Sequence, residues 1–312
     1  MNRLVAAAPI SWGVCEVPDW GAVLPPARVL AGMRALGLTA TELGPPGWLP
    51  TDPGQLRTEL EQAGMTLVAG FLAVPLHHPL EQVSELTARA ARALAEAGAE
   101  LLVLAAATGR DGYDGVPPSR DDTWAALLEG AHLAAETAAE QGLDTVLHPH
   151  MGTLVQTPTE IARFMAESGM DLCLDTGHVL LGGGDPVDVA RNYSERIRHV
   201  HLKDVDASVA ARVRSGELGY AAAVASGLYR PLGAGDVDVA AVLAALDAAR
   251  YGGWYVLEQD TSLAHADEAS ARSAEDDVRA CLRTLNLLAG PTDNTDPTDT
   301  GPTLIVSAKE PR

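Results

Sequence analysis

Short apolar runs alternate along this chain with longer stretches in which apolar residues recur at helical spacing. "LVAAAPI" reads as a first strand, and "PARVLAGMRALG" as a helix ending at Gly37. "TATEL" is a second strand, and "DPGQLRTELEQAG" a helix with an Asp start and a Gly stop. Further strands are predicted in "MTLVAGFLAV", "ELLVLAAA", "DTVLH", "MDLCLD", "IRHVHLKD" and "GWYVLE". The intervening helices are predicted over Leu80–Gly98, Asp121–Gly142, Pro158–Ser168, Pro186–Tyr193, Asp238–Arg250 and Asp267–Leu288. Strands that alternate with helices imply parallel pairing through crossover helices. Eight such units within residues 1–289 predict a single α/β domain, a closed (β/α)8 TIM barrel. A doubly wound open sheet is the weaker alternative, because no G-x-G-x-x-G follows the first strand. "LGGGD", Leu181–Asp185, lacks phosphate-loop spacing and reads as a flexible loop. The long segment Val205–Asp236 is either a lid or partner-binding element, or an ordered turn before the next helix. From Gly290 to Arg312 Pro, Thr, Asp and Gly dominate, so a disordered tail is expected there.

Composition narrows the class. The chain has 312 residues, 47% of them hydrophobic, enough for a large core. No apolar run reaches the roughly 18 residues that a transmembrane helix needs, and no membrane partner is expected. The start, "MNRLVAAAPISWG", has a short apolar stretch followed at once by Pro9 and Trp12, which suits a first strand better than a signal peptide. Cys15, Cys173 and Cys281 are odd in number and widely spaced, which fits the reducing cytoplasm and argues against a disulfide framework or a Cys-rich zinc site. A net charge of -20 repels phosphate backbones, so no nucleic-acid partner is expected.

In a barrel of this kind the chemistry sits at the C-terminal ends of the strands. The second strand ends in Glu42. The fifth ends in His148 and His150, the sixth in Asp175 and His178, the seventh in His201, Lys203 and Asp204, and the eighth in Glu258. One at a time each has an ordinary structural explanation. Together, on four consecutive strands whose ends share one rim, they predict a common divalent metal site. Nitrogen and oxygen donors suit Mn, Co, Mg or Zn. His148 and His150 lie two positions apart and would face the same side of a strand, so spacing leaves open which binds the ion; His148 is preferred because it still belongs to the strand. His77 and His78 read as loop or substrate-contact residues, while His132, His199 and His265 receive no role.

"APISWGVCEVPDWG", "TELGPPGWLP", "HPHMGTLVQT", "LDTGH", "HVHLKDVD" and "YRPLGAGDVD" together resemble the inosose dehydratase family, within the xylose-isomerase-like barrels of sugar isomerases and epimerases. The likeness runs from about Ala8 to Leu287. It implies a Mn or Co ion and dehydration of 2-keto-myo-inositol to a trihydroxycyclohexane-dione in inositol catabolism. The superfamily pattern puts the metal ligands on His148, Asp175, His201 and Glu258. Epimerases of that superfamily typically carry Glu where His148 stands and use two carboxylates, so the resemblance implies elimination rather than two-base epimerisation.

The expected chemistry is β-elimination of water from a hydroxyketone. The expected base is Glu258, with His150 or His178 as proton donor to the leaving hydroxyl. Lys203 and Asp204 would hold ring hydroxyls, Lys203 also steadying the enolate. Trp12, Glu42 and Gln156 would line the pocket mouth, and Tyr229 and Arg230 would face a polar substrate. No nicotinamide or flavin is required. The rival reading is a metal-dependent ketose epimerase or isomerase. An apurinic endonuclease conflicts with the charge, and a non-catalytic sugar-binding barrel conflicts with the intact ligand quartet. A homo-oligomer is compatible with such a barrel, but no residues name an interface.

Overall fold

The computed structural model describes residues 3–114 and 120–288. Its strands, in chain order, are β1 (Leu4–Ala7), β2 (Ala40–Leu43), β3 (Thr66–Val74), β4 (Leu101–Ala106), β5 (Asp144–Leu147), β6 (Asp171–Asp175), β7 (Ile197–Leu202), β8 (Asp204–Val205), β9 (Tyr229–Arg230) and β10 (Trp254–Leu257). Eight close into a barrel in the order β1-β10-β7-β6-β5-β4-β3-β2, and β8 and β9 form a separate antiparallel pair. The pairings around the barrel are parallel. The open-sheet alternative is thereby excluded.

The helices are α1 (Pro26–Ala35), α2 (Pro53–Ala63), α3 (Leu80–Glu96), α4 (Arg120–Ala139), α5 (Pro158–Glu167), α6 (Thr176–Leu181), α7 (Pro186–Asn192), α8 (Ala207–Arg214), α9 (Tyr220–Ala225), α10 (Val239–Ala248) and α11 (Glu268–Leu288). Their starts follow local chemistry. Asp52 accepts from Gln55 N to cap α2, and Thr157 with Glu160 forms a capping box on α5. Both helices place Pro in the first turn, where a missing N–H costs nothing.

Two apolar layers result from the period-two alternation of the strands. Val5, Leu147, Leu172, Leu174, Val200, Leu202, Tyr255 and Leu257 point outward and pack with the helices. Ala6, Ala40, Val68, Val103, Val146, Cys173 and Val256 point inward and fill the barrel. These side chains are buried against one another, so the lower interior is packed rather than hollow.

Two expectations change. "LGGGD" is a tight junction between α6 and α7, with Gly183 at φ 90°. The segment Val205–Asp236 is an ordered subdomain of α8, α9 and the β8–β9 pair. The tail expected to be disordered, 290–312, lies outside the described residues. None of the helices among the described residues is long and apolar enough to cross a membrane.

Candidate active site

The alternation that fills the barrel also places its chemistry. Val146 and Cys173 point inward on β5 and β6, so His148 and Asp175, two positions on, point inward one layer higher. His199 and His201 on β7, and Val256 and Glu258 on β10, repeat the step. His148, Asp175 and His201 are each at most 1% exposed.

The four expected ligands meet. His148 Nε2 lies 3.1 Å from Asp175 Oδ2, and His201 Nδ1 lies 3.7 Å from the same oxygen. His201 Nδ1 also abuts Glu258 Oε2. Both atoms are buried and meet as an ion pair rather than in a well-formed hydrogen bond. Buried nitrogen and oxygen donors turned toward one another in this way form a candidate cation site. Asp175 divides its work: Oδ1 caps α6 by accepting from His178 N at 2.7 Å, which leaves Oδ2 for the site. The donor set therefore fits a divalent ion held through nitrogen and oxygen. Cys173 lies close to His148 and His201, but burial pushes its thiol up to about 11, so it is not a thiolate donor at neutral pH. Of the adjacent pair, His148 reaches this cluster, whereas His150 donates from Nδ1 to Met151 O at 2.7 Å.

Charge dominates the electrostatics. Burial would raise the Asp175 carboxyl, but Lys203 and His178 hold it well below the usual range. Burial would raise Glu258 too, and His201 and Lys203 bring it down to about 2. Lys203 is fully buried, yet Asp175, Asp260 and Glu258 hold its ammonium charged. His201 is pushed upward by the Glu258 and Glu42 carboxylates against the effect of burial. Such surroundings favour a cation at Nδ1, either a proton or a metal ion.

Behind His201 stands Glu42. Its Oε1 accepts from His201 Nε2 at 2.9 Å and from His199 Nε2 at 2.6 Å. A carboxylate on Nε2–H fixes the tautomer that turns the Nδ1 lone pair to the site. Glu42 was expected to line the pocket mouth, and it does border the cavity, but its carboxylate is buried and joins His199, which was given no role, in orienting His201.

Above the cluster opens a cavity of about 270 Å³, bordered by Glu16, Trp20, Phe71, Tyr113, His150, Tyr220, Glu42, Glu258 and Asp260. Glu16 accepts from Tyr113 Oη, and Tyr113 stacks on His150 with ring centroids 4.2 Å apart. A roomier groove between α1 and α2 is lined by Ala31, Asp52, Gln55 and Thr58 and brings together no such cluster.

Several expected substrate residues go elsewhere. Trp12 is fully buried in the outer core, away from the cavity lining. Gln156 Oε1 accepts from Gly152 N at 2.8 Å and braces its own loop. Asp204 turns away from the cavity and accepts from the backbone N–H groups of Val205, Gly233, Gly235 and Val237 at 2.8–2.9 Å. Gly235 is needed there, since a Cβ would overlap the Asp204 carboxylate. Arg230 pairs with Asp206 at 3.4 Å on the surface. Tyr229 is buried, its Oη 3.1 Å from Tyr220 Oη. His178 is buried against Lys203, with Nε2 3.0 Å from Nζ, and neither of them borders the cavity, so Lys203, expected to hold ring hydroxyls, is enclosed beneath it instead. His77 and His78 also lie outside its lining.

Sequence reasoning passed over Asp260, Tyr220, Tyr113, Trp20 and Glu16. Asp260 stood in plain view in "VLEQD", two positions after Glu258, where period two would have placed it. Its Oδ1 is 2.7 Å from Lys203 Nζ and its Oδ2 accepts from Tyr220 Oη at 2.5 Å.

Comparison with known proteins agrees with the barrel fold. Residues 30–285 match the family described as xylose isomerase-like TIM barrel. An inosose dehydratase of Geobacillus thermodenitrificans is 33% identical over 281 residues, covering 86% of this chain and 94% of that one. The solved structure of a probable 3-DHS dehydratase from Bacillus anthracis superposes with a TM-score of 0.65 at 17% identity, over 90% of this chain and 98% of that one. An L-ribulose 3-epimerase structure superposes with a TM-score of 0.66 at 18% identity, over 92% and 94% of the two chains. The two structures share the fold, while the first match extends to sequence along nearly its whole length. By that match, the chain belongs to the inosose dehydratase family of the xylose isomerase-like TIM barrels.

Proposed function

We propose that the protein is a metal-dependent hydro-lyase that dehydrates 2-keto-myo-inositol to a trihydroxycyclohexane-dione, as a step of inositol catabolism. The observation that carries this reading is the convergence of His148, Asp175, His201 and Glu258 beneath a cavity of about 270 Å³, with His201 Nδ1 turned to both Asp175 Oδ2 and Glu258 Oε2. Those four residues would hold Mn2+ or Co2+. When bound, the ion supplies Lewis-acid polarisation of the substrate carbonyl.

The remaining chemistry belongs to the chain. Glu258 borders the cavity as a carboxylate and takes the proton next to the ketone. The same carboxyl returns that proton to the departing β-hydroxyl, so water leaves and the acid–base balance closes on one residue. His150, with Nδ1–H committed to Met151 O, presents Nε2 as an acceptor for a ring hydroxyl, a role opposite to the proton donor expected from the sequence. The Lys203 ammonium lies 3.1 Å from Glu258 Oε1 and steadies negative charge as it develops. Trp20, Tyr113 and Tyr220 wall the cavity and exclude water.

Two-base epimerisation is the less supported reading. It needs a second carboxylate facing the substrate from the fifth strand, where this chain has His148. Dione formation from 2-keto-myo-inositol, with and without chelator, compared with Glu258→Gln and His148→Ala, tests the proposal. Loss of turnover in all three arms is expected. Exchange of the α-proton without dione, or turnover indifferent to all three changes, overturns it.

A further inference from the structure

Lys203 is enclosed in a way that an ordinary ion pair does not require. Its Nζ lies 2.7 Å from Asp260 Oδ1, 3.0 Å from His178 Nε2, 3.1 Å from Glu258 Oε1 and 3.2 Å from Asp175 Oδ2. Each neighbour is a metal-ligating group, and the lysine side chain is 0% exposed. Two triads of ligand atoms lie side by side here: Asp175, His201 and Glu258, and His150, His178 and Asp260, each within 4.8 Å internally. Glu258 joins them, for its Oε2 faces His201 while its Oε1 faces Lys203. A carboxylate shared in this way is the usual bridge of two-ion sites, whose cations sit about 3.5–4 Å apart.

We propose that the Lys203 ammonium occupies the second cation position of a latent two-ion centre and limits the wild-type site to one divalent ion. The inference rests on the metal-dependent reading above. Charge agrees with it: the carboxylates of Asp175, Glu258 and Asp260 are offset by one ammonium and one divalent ion. A second divalent ion would have to displace Nζ from all four contacts and would leave an excess of buried positive charge. An ammonium also differs in kind from an ion, because it brings positive charge without an open coordination position or an activated water.

The test counts metal rather than turnover. Full-length wild type, Lys203→Ala, Lys203→Arg and the double variant Lys203→Ala/Asp260→Asn are stripped with chelator and equilibrated with Mn2+. After desalting, bound metal per chain is measured by mass spectrometry. Wild type and Lys203→Arg are expected to hold one ion, Lys203→Ala two, and the double variant one. Lys203→Ala leaves three buried carboxylates short of one charge, so its melting temperature is expected to rise with Mn2+ more than that of wild type. A Lys203→Ala chain that holds one ion, or that stays unfolded at saturating Mn2+, overturns the proposal, as does a wild type that holds two. A wild type that holds none removes the metal-dependent reading and this inference with it, an outcome distinct from failure of Lys203→Ala alone.

Discussion

The lower and upper layers of the barrel interior are built by the same strands and have opposite chemistry. Val146, Cys173 and Val256 form the lower layer, which is apolar and packed. His148, Asp175 and Glu258, two residues further along the same strands, form the upper layer, where buried ionisable groups crowd together. The backbone geometry is common to both, so the contrast is one of side chains alone. Below, removal of water from carbon stabilises the fold. Above, carboxylates and an ammonium are removed from water at a cost that mutual pairing offsets. Stability and function thus divide within a single strand over a rise of about 7 Å.

Predictions that act on this division can be ranked. The largest concerns the upper layer: Glu258→Gln removes a base and a ligand together. The kcat for dione formation is expected to fall about 10⁴-fold, equal to about 5.5 kcal/mol, while the chain still melts cooperatively. A fall of less than tenfold in steady-state assays would remove Glu258 from the proton transfers. Next, Val146→Asp imports the upper chemistry into the lower layer. An unpaired carboxylate there should cost about 3–5 kcal/mol, read from the urea midpoint, because nothing nearby compensates the lost hydration. An unchanged midpoint would show that the lower layer tolerates charge, and the contrast would fail.

Smaller effects sharpen the boundary. Glu42→Ala removes the carboxylate behind His201 and should weaken Mn2+ binding about 10–100-fold in calorimetric titration, with Glu42→Gln recovering part of the loss. Equal affinity in wild type and both variants would make the Glu42–His199–His201 chain merely structural. Arg230→Ala is the smallest change, since its partner Asp206 is at the surface. Within about 0.5 kcal/mol of stability and twofold in kcat/KM, it should be indistinguishable from wild type. A larger loss in kcat/KM would return Arg230 to the substrate.

The contrast also explains what could be read early. His148, Asp175, His201 and Glu258 were legible because each ends an apolar run, and a parallel barrel brings all such ends to one rim. Asp260 was missed because it follows a candidate ligand already named and looks like loop. Glu42 does border the cavity as expected, but its carboxylate is turned to His199 and His201, a pairing that no local pattern announces. Asp204, one residue after Lys203, takes the opposite face and organises the backbone of the following segment. Trp12 looked like a pocket residue by association with its neighbours, but its bulk is absorbed by the core.

What the chain determined by itself was periodic and local: alternation of strand and helix, the caps, and which residues share a strand face. These follow from side-chain periods of 2.0 and 3.6, which need no knowledge of neighbours. What tertiary structure decided was convergence: that Glu42 meets His201, that Lys203 sits among Asp175, Glu258 and Asp260, and that Asp204 and Arg230 stay out. Such contacts join residues up to 159 positions apart, as between Glu42 and His201. Electrostatic energy depends on distances of a few ångströms through a medium of low polarisability, and only closure of the barrel sets those distances.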